Sequence, residues 1–419
     1  MENQLINLSY HEVLNPRISY LNHDFWKEVD KIYYEDKKRN DDYFLYFLHY
    51  VNSKFDYKNK EIPFRKTFIN GASYIDIYFD KEKYIFYSPF IKIKENTFKI
   101  PLYRKIAEIN FNQLILPQIY LKENDLYFYY EDKFINNDPY KLFSILDEIC
   151  YYNQFYLEYF IEKFQADYLK EPSIEYFDNS ILDKFYNQYM DILNEFFIYY
   201  SILREMKYYN NIKNILITTL IKINYTLNVQ GTIRILINDY INELYKDCNS
   251  VETQIEEILP KIEELRKISK EKFKKYCYKL EYFVFPNKRA DIYLAQDFFK
   301  DAYNTIKEWM SKGYYMDITT YSTSILYDFL DLYDVKDFIK KYIEDTLKKI
   351  AKKKWEECAK EILILFDNIM NNKIPSMDKE YRPTKDLTHS RANQIYSTRE
   401  TEEKEKSESF LSKIFDFFS

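Results

Sequence analysis

Two stretches of the chain alternate strictly in character, and each can close on itself in one register. In ASYIDIYFDKEKYIFYSPFIKI, residues 72–93, a charged turn at Asp80 to Lys83 separates two alternating runs. Closing that turn sets Phe79 opposite Tyr84 and Ile77 opposite Phe86, and residues opposite one another on antiparallel strands share a face. The inner face then collects Ile75, Ile77, Phe79 and Phe86, and the outer face Tyr74, Asp76, Tyr78, Ile85 and Tyr87. In LPQIYLKENDLYFYY, residues 116–130, a two-residue turn at Glu123-Asn124 sets Leu121 opposite Leu126 and Ile119 opposite Phe128. Asn tolerates the positive φ that such turns require. Aliphatic residues and Phe again share one face, here expected to be buried, and Tyr120, Tyr127 and Tyr129 take the other. The two hairpins independently give an aliphatic inner face and a tyrosine-rich outer one.

Helical patterns surround these hairpins. Phe44, Leu45, Leu48, Val51 and Phe55 fall on one helical stripe before the first, and Leu102, Ile106 and Ile109 on another between the two. After the second, Asp138 is placed as an N-cap with Pro139 at the first helical position. Leu142, Ile145, Leu146, Ile149, Leu157, Phe160 and Phe164 then form a long apolar stripe that Pro172 closes. Strands and helices segregate instead of alternating, which predicts an α+β domain on an antiparallel sheet over residues 41–172, preceded by an irregular extension at 1–40.

From residue 173 to 371 the chain reads as helix after helix and predicts an all-α domain. The expected helices are 179–209, 211–224, 229–247, 251–284, 289–312, 318–333 and 335–371, with breaks at Asn210-Asn211, Gly231, Pro260, Pro286 and Gly313. Pro260 is expected to kink its helix or begin a new one. Residues 372–409 carry few apolar side chains and predict a disordered linker. The chain then finishes in SFLSKIFDFFS, where Phe410, Leu411, Ile414, Phe415 and Phe418 make a short amphipathic segment expected to serve as a docking tail.

Composition excludes several chemistries. The chain has 419 residues and 3 glycines, Gly71, Gly231 and Gly313, each isolated. Phosphate-binding loops and glycine nucleophile elbows need clustered glycines, so none can be built here. The 46 tyrosines follow in large part from AT-rich codons, which Tyr, Asn, Ile, Lys and Phe share; they inform only where they break a pattern. Net charge is -6, with both signs intermixed, so no global field attracts nucleic acid or anionic lipid. Cys150, Cys248, Cys277 and Cys358 lie far apart, as reduced thiols of a cytoplasmic protein would. The N-terminal residues carry no secretory signal pattern, and no apolar run is long enough to predict a membrane span.

The order of helix, hairpin, helix, hairpin and helix resembles the fold of type III secretion chaperones and their YbjN-like relatives, over roughly residues 41–170. The resemblance rests on LYRKIAEIN, on LPQIYLKENDLYFYY and on the long helix from Pro139 to Leu169. It implies binding of extended peptide segments and frequent homodimerisation, without cofactor or catalysis. Two features depart from that pattern: Asn112-Gln113 stand where glycines often precede the second hairpin, and the long helical region has no counterpart in a stand-alone chaperone.

The candidate binding residues are therefore Tyr74, Tyr78, Tyr87, Tyr120, Tyr127 and Tyr129, facing an extended peptide or partner protein unless the helical region covers them. Two other readings remain open. Lys348, Lys349, Lys352, Lys353 and Lys354 beside Trp355 suit nucleic acid or, with acidic neighbours, a solvated helix face. A catalytic site assembled from distant residues has no motif to support it. His11, His23, His49 and His389 lack metal-site spacing, and Glu256-Glu257 and Glu263-Glu264 read as solvating charges.

Overall fold

A computed structural model describes residues 6–22, 25–34, 43–58, 62–246 and 250–375. The chain opens as a strap, residues 6–22, then forms α1 (Trp26–Tyr34) and α2 (Tyr43–Val51). Next come β1 (Phe64–Asn70), β2 (Ser73–Phe79), β3 (Lys83–Lys92), α3 (Lys99–Asn112), β4 (Gln118–Lys122), β5 (Asp125–Lys133), α4 (Pro139–Phe164) and β6 (Asp167–Tyr168). The strands make one antiparallel sheet in the order β1-β2-β3-β5-β4, with β6 added beside β3. An α+β unit built on an antiparallel sheet is what the alternation requires.

Both expected registers hold. Phe79 pairs with Tyr84 and Ile77 with Phe86, while Leu121 pairs with Leu126 and Ile119 with Phe128. Ile75, Ile77, Phe79, Phe86, Ile119, Leu126 and Phe128 are buried under α4 and its neighbours. Leu121 departs from the expectation: it is 47% exposed. It sits at the end of edge strand β4, where only one neighbouring strand contributes cover. The turn departs too, since Glu123 and not Asn124 holds the positive φ, at 57°. Asn124 instead lends its carbonyl to the N–H of Ile93 at 2.7 Å.

Asp138 caps α4 as its position predicts, accepting from the N–H of Lys141 at 2.8 Å. The connection of α3 to the second hairpin is explained by Asn110. Its amide donates to the carbonyl of Ile119 at 3.0 Å and accepts from the N–H of Ile119 at 2.8 Å. One side chain thereby ties the helix end to β4 and satisfies two backbone groups on the strand.

The second unit is mainly helical. It runs through β7 (Glu175–Tyr176), α5 (Asn179–Glu205), α6 (Tyr209–Leu227), α7 (Gly231–Tyr245), α8 (Val251–Arg266), α9 (Lys270–Lys274), β8 (Tyr278–Lys279) and β9 (Lys288–Ala290). It ends with α10 (Ile292–Lys312), α11 (Tyr315–Leu332), β10 (Tyr333–Val335), α12 (Asp337–Ile350) and α13 (Trp355–Met370). Helix α6 is the buried axis, packed by α5, α7, α8 and α11.

Several expected boundaries move, each for a local reason. The break before α6 falls at Lys207, whose φ is 60°, and not at Asn210-Asn211. Asn211 is buried inside the helix, where its amide donates to Asp317 and Thr320, both at 3.1 Å. Helix α8 runs through Pro260, which faces solvent, so the carbonyl left without a donor can meet water. The expected helix 251–284 stops at Arg266, and its remainder forms α9, β8 and an extended segment. The expected helix 335–371 is two helices. Between them the strap competes for the backbone: the N–H of Asn7 donates to the carbonyl of Lys353 at 2.8 Å, and its amide to that of Ile350 at 3.2 Å.

The extension expected to be irregular has no helix or strand over residues 6–22, which run as the strap, and forms α1 beyond them. Leu8 enters the helical core, and the N–H groups of Leu14 and Asn15 donate to the carbonyl of Thr226 at 2.8 and 3.2 Å. Arg17 pairs with Asp331 at 2.5 Å. The chain then crosses to the first unit, where the N–H of Asn22 meets the carbonyl of Tyr50 at 2.9 Å and α1 buries Trp26 and Val29. The strap therefore binds both units.

Candidate functional site

The outer face of the sheet carries all six tyrosines picked out by alternation. Cross-strand pairing sets Asp76 against Tyr87, Tyr87 against Tyr129, and Tyr127 against Tyr120. The rings lean on one another: Tyr87 and Tyr127 are 5.0 Å apart, Tyr120 and Tyr129 5.7 Å, Tyr127 and Tyr129 6.1 Å, and Tyr120 and Tyr127 6.4 Å. Tyr120 is 46% exposed, and the other five are partly exposed. The helical unit leaves this face accessible and packs elsewhere.

Hydrogen bonding divides the six into two sets. Tyr78 donates to Asp80 at 2.7 Å, Tyr129 donates to Glu131, and Tyr74 donates to the carbonyl of Glu171 at 3.0 Å with Lys170 over its ring. These hydroxyls are committed within the fold. Those of Tyr87, Tyr120 and Tyr127 make no hydrogen bond to another described residue. Burial and then the Asp76 carboxylate raise the pKa of Tyr87, which stays a donor at neutral pH. Burial and the bond to Glu131 raise that of Tyr129. Glu131 is held low by Lys83, 2.8 Å away, and by Tyr129. The face thus offers three connected aromatic rings with free O–H groups, bordered by a Lys83–Glu131 pair. It can grip apolar side chains while donating hydrogen bonds to an extended backbone.

Entry along the strand edge is less open. Asn110 already occupies both backbone groups of Ile119 on β4, so an extended segment has more to gain across the tyrosine face than by adding a strand there.

The other sequence candidates do not assemble into a site. Trp355 is buried at the start of α13, unavailable for stacking on a base, and the surrounding lysines are exposed, with Lys349 paired to Glu361 at 2.6 Å. His49 is fixed by a 2.7 Å contact between Nδ1 and the Phe55 carbonyl. His11 is half-buried near Lys222 and Glu195, and its partial burial followed by the Lys222 charge pushes its pKa down to about 4. Cys150, Cys277 and Cys358 are free and buried. Among the described residues no three His, Cys, Asp or Glu side chains are grouped to hold a metal ion, and no helix is long and apolar enough to cross a membrane. The tail residues Phe410, Leu411, Ile414, Phe415 and Phe418, with Cys248, His23 and His389, lie outside the described residues.

One constellation was missed by sequence reasoning: the seam where α4 meets α7 and the segment 281–286. Asn70 is its hub. Its amide donates to the carbonyl of Cys150 at 3.1 Å, and its oxygen accepts from the N–H groups of Phe283 and Val284, both at 3.1 Å. Gln154 donates to Gln230 at 3.3 Å, and Gln230 donates to the Asn228 carbonyl at 2.8 Å. Gly71 and Gly231 lie in this seam with φ of 61° and 59°, and a Cβ would overlap Gln154 at the first and Glu158 and Tyr276 at the second. In a chain this poor in glycine, those two residues were the available signal.

No protein-family model, curated protein or solved structure matches this chain.

Proposed function

We propose that the protein is a non-catalytic binder of an extended peptide or partner-protein segment, held across the outer tyrosine face of the N-terminal sheet. The observation that carries this reading is the free set Tyr87, Tyr120 and Tyr127: packed rings on an accessible face, with hydroxyls that the fold does not use. Tyrosine supplies apolar contact area at small side-chain entropy cost, which suits recognition of extended chains. The resemblance to secretion chaperones and YbjN-like domains points the same way and adds homodimerisation. The helical unit then serves as a brace or as a second partner surface. Buried free thiols accord with a cytoplasmic setting.

The test uses an array of immobilised extended peptides, probed with the full chain. Replacing Tyr120 and Tyr127 together by Ser should abolish capture while the far-ultraviolet circular dichroism and the unfolding midpoint stay close to wild type. Tyr74→Phe and Tyr78→Phe, which remove hydroxyls the fold already uses, should leave capture intact. Equal capture by the wild type and the double variant would refute the assignment of this face.

A further inference from the structure

We propose that the seam between the two units holds a small oxyanion, a carboxylate or phosphate head, gripped by Arg234 with the Tyr282 hydroxyl beside it. A cavity of about 20 Å³ opens there, lined by Asn70, Tyr151, Gln154, Gln230, Arg234 and Tyr282 among others. That volume holds about one water-sized group, such as a single oxygen of an anion's head.

Arg234 lies in the first turn of α7 and is partly exposed. Its Nη1 donates to the Gln230 amide oxygen at 3.2 Å. Its Nε is sealed from solvent and has no hydrogen-bond partner. Because Nε–H and the outer Nη2–H point the same way, the unused edge is the one that receives an oxyanion in a two-bond fork. No carboxylate of the described residues forms an ion pair with Arg234. Asp331, whose charge acts on Arg234, is already paired with Arg17 at 2.5 Å.

Tyr282 adds an independent sign. Its side chain is 3% exposed, lines the cavity, and carries a buried hydroxyl with no hydrogen-bond partner. The hydroxyl lies close enough to the guanidinium to help hold its charge. A sealed N–H and a buried hydroxyl that each lack a hydrogen-bond partner are costly, and the cost falls away if a single acceptor-rich anion meets both. The cavity offers no second cation and little room, so a nucleotide or polyphosphate does not fit.

The experiment follows thermal unfolding of the full chain against sodium phosphate and sodium acetate, with sodium chloride matched for ionic strength. One of the two oxyanions should raise the midpoint saturably where chloride does not, and the one that acts identifies the head group. In Arg234→Lys, which keeps the charge but loses the fork, the half-saturating concentration should rise at least about tenfold. Tyr282→Phe, which keeps the ring and therefore the packing, should weaken the response in the same direction. No saturable response in wild type, or equal responses in wild type and both variants, overturns the site. A crystal structure from phosphate or acetate with only an ordered water against Arg234 Nε overturns it as well.

Discussion

On the outer face of the sheet four tyrosine rings lean on one another, whereas in the seam buried amides share hydrogen bonds in one connected network. The first is a partly redundant surface: Tyr127 touches Tyr87, Tyr120 and Tyr129, and Tyr120 also touches Tyr129, so removing Tyr87, Tyr120 or Tyr129 leaves the other three rings in contact. The second is a chain of single dependencies, running from Asn70 through Gln154 and Gln230 to Asn228. A surface built by redundancy can change sequence and keep its shape. A buried network cannot, because each lost partner strands a group away from water. The face is therefore where sequence can vary, and the seam is where the relation of the two units is set.

The sharpest way to break this comparison is Asn70→Ala. It strands the N–H groups of Phe283 and Val284 in a buried setting and removes a second donor from the carbonyl of Cys150, which the helix already serves. We expect a loss of about 2–4 kcal/mol in urea unfolding, from two unsatisfied N–H groups at roughly 1–3 kcal/mol each with partial relaxation. A loss below about 1 kcal/mol would show that water replaces the Asn amide and that the seam is not a dry network.

Glycine provides an internal control. Gly231 and Gly313 both hold positive φ, at 59° and 73°, so alanine at either site meets the same left-handed backbone penalty of about 1–2 kcal/mol. Only at Gly231 does the new methyl group collide, with Glu158 and Tyr276; at Gly313 nothing lies within 4 Å. Gly231→Ala should therefore cost about 3 kcal/mol or more and Gly313→Ala about 1 kcal/mol. Equal losses would mean that the seam yields to a methyl group.

Acidity separates two places with opposite sign. Glu158 is buried beside Tyr278, whose hydroxyl donates to it at 2.9 Å, and burial followed by the nearby Glu162 charge raises its pKa from 4.5 to about 7. Its folded pKa lies above the unfolded value, so its contribution is complete below pH 4.5 and is lost as pH rises through 7. Two and a half pH units correspond to at most about 3 kcal/mol. His11, beneath the strap, has its pKa pushed below the ordinary value of 6.5, to about 4, by partial burial and Lys222. Its contribution is present above 6.5 and is lost as pH falls through 4. Denaturant midpoints measured from pH 4 to 8 should lose their alkaline decline in Glu158→Gln and part of their acidic decline in His11→Asn. If both variants flatten the same limb, the assignment of sign is wrong.

The two regions also differ in how far the sequence revealed them. The sheet was legible because its period of two is local: alternation and a charged turn fix the pairing of Ile77 with Phe86 without knowledge of anything distant. The same holds for Asp138 at the start of α4. The fate of Leu121 was not legible, since burial at a sheet edge depends on what lies beyond the edge. The break at residues 351–354 was hidden for a related reason: the strap that competes for those backbone groups comes from the other end of the chain. The seam joins positions 70, 154, 230 and 282, which share no period and no motif. Uncommitted hydroxyls were likewise invisible, since Tyr78 and Tyr120 look alike until their partners are known.

The smallest effect expected is on the face itself, and its smallness is the point. Tyr127→Ser removes a ring from the middle of the array and takes the cross-strand ring from Tyr120, but Tyr120 keeps its contact with Tyr129, Tyr87 stays opposite Tyr129, and the strand keeps its backbone ladder. Cross-strand side-chain pairs contribute roughly 0.2–1 kcal/mol each, and Tyr127 is already partly solvated, so the loss should stay near about 1 kcal/mol. Its hydroxyl has no partner among the described residues, so no buried acceptor is stranded. The measurement is a pair of urea curves, wild type and variant, read for both midpoint and slope. An unchanged slope with a small midpoint shift identifies a surface array whose rings are free for other use. A loss comparable to that of Asn70→Ala would instead make Tyr127 a structural member of the sheet, and the contrast between face and seam would collapse.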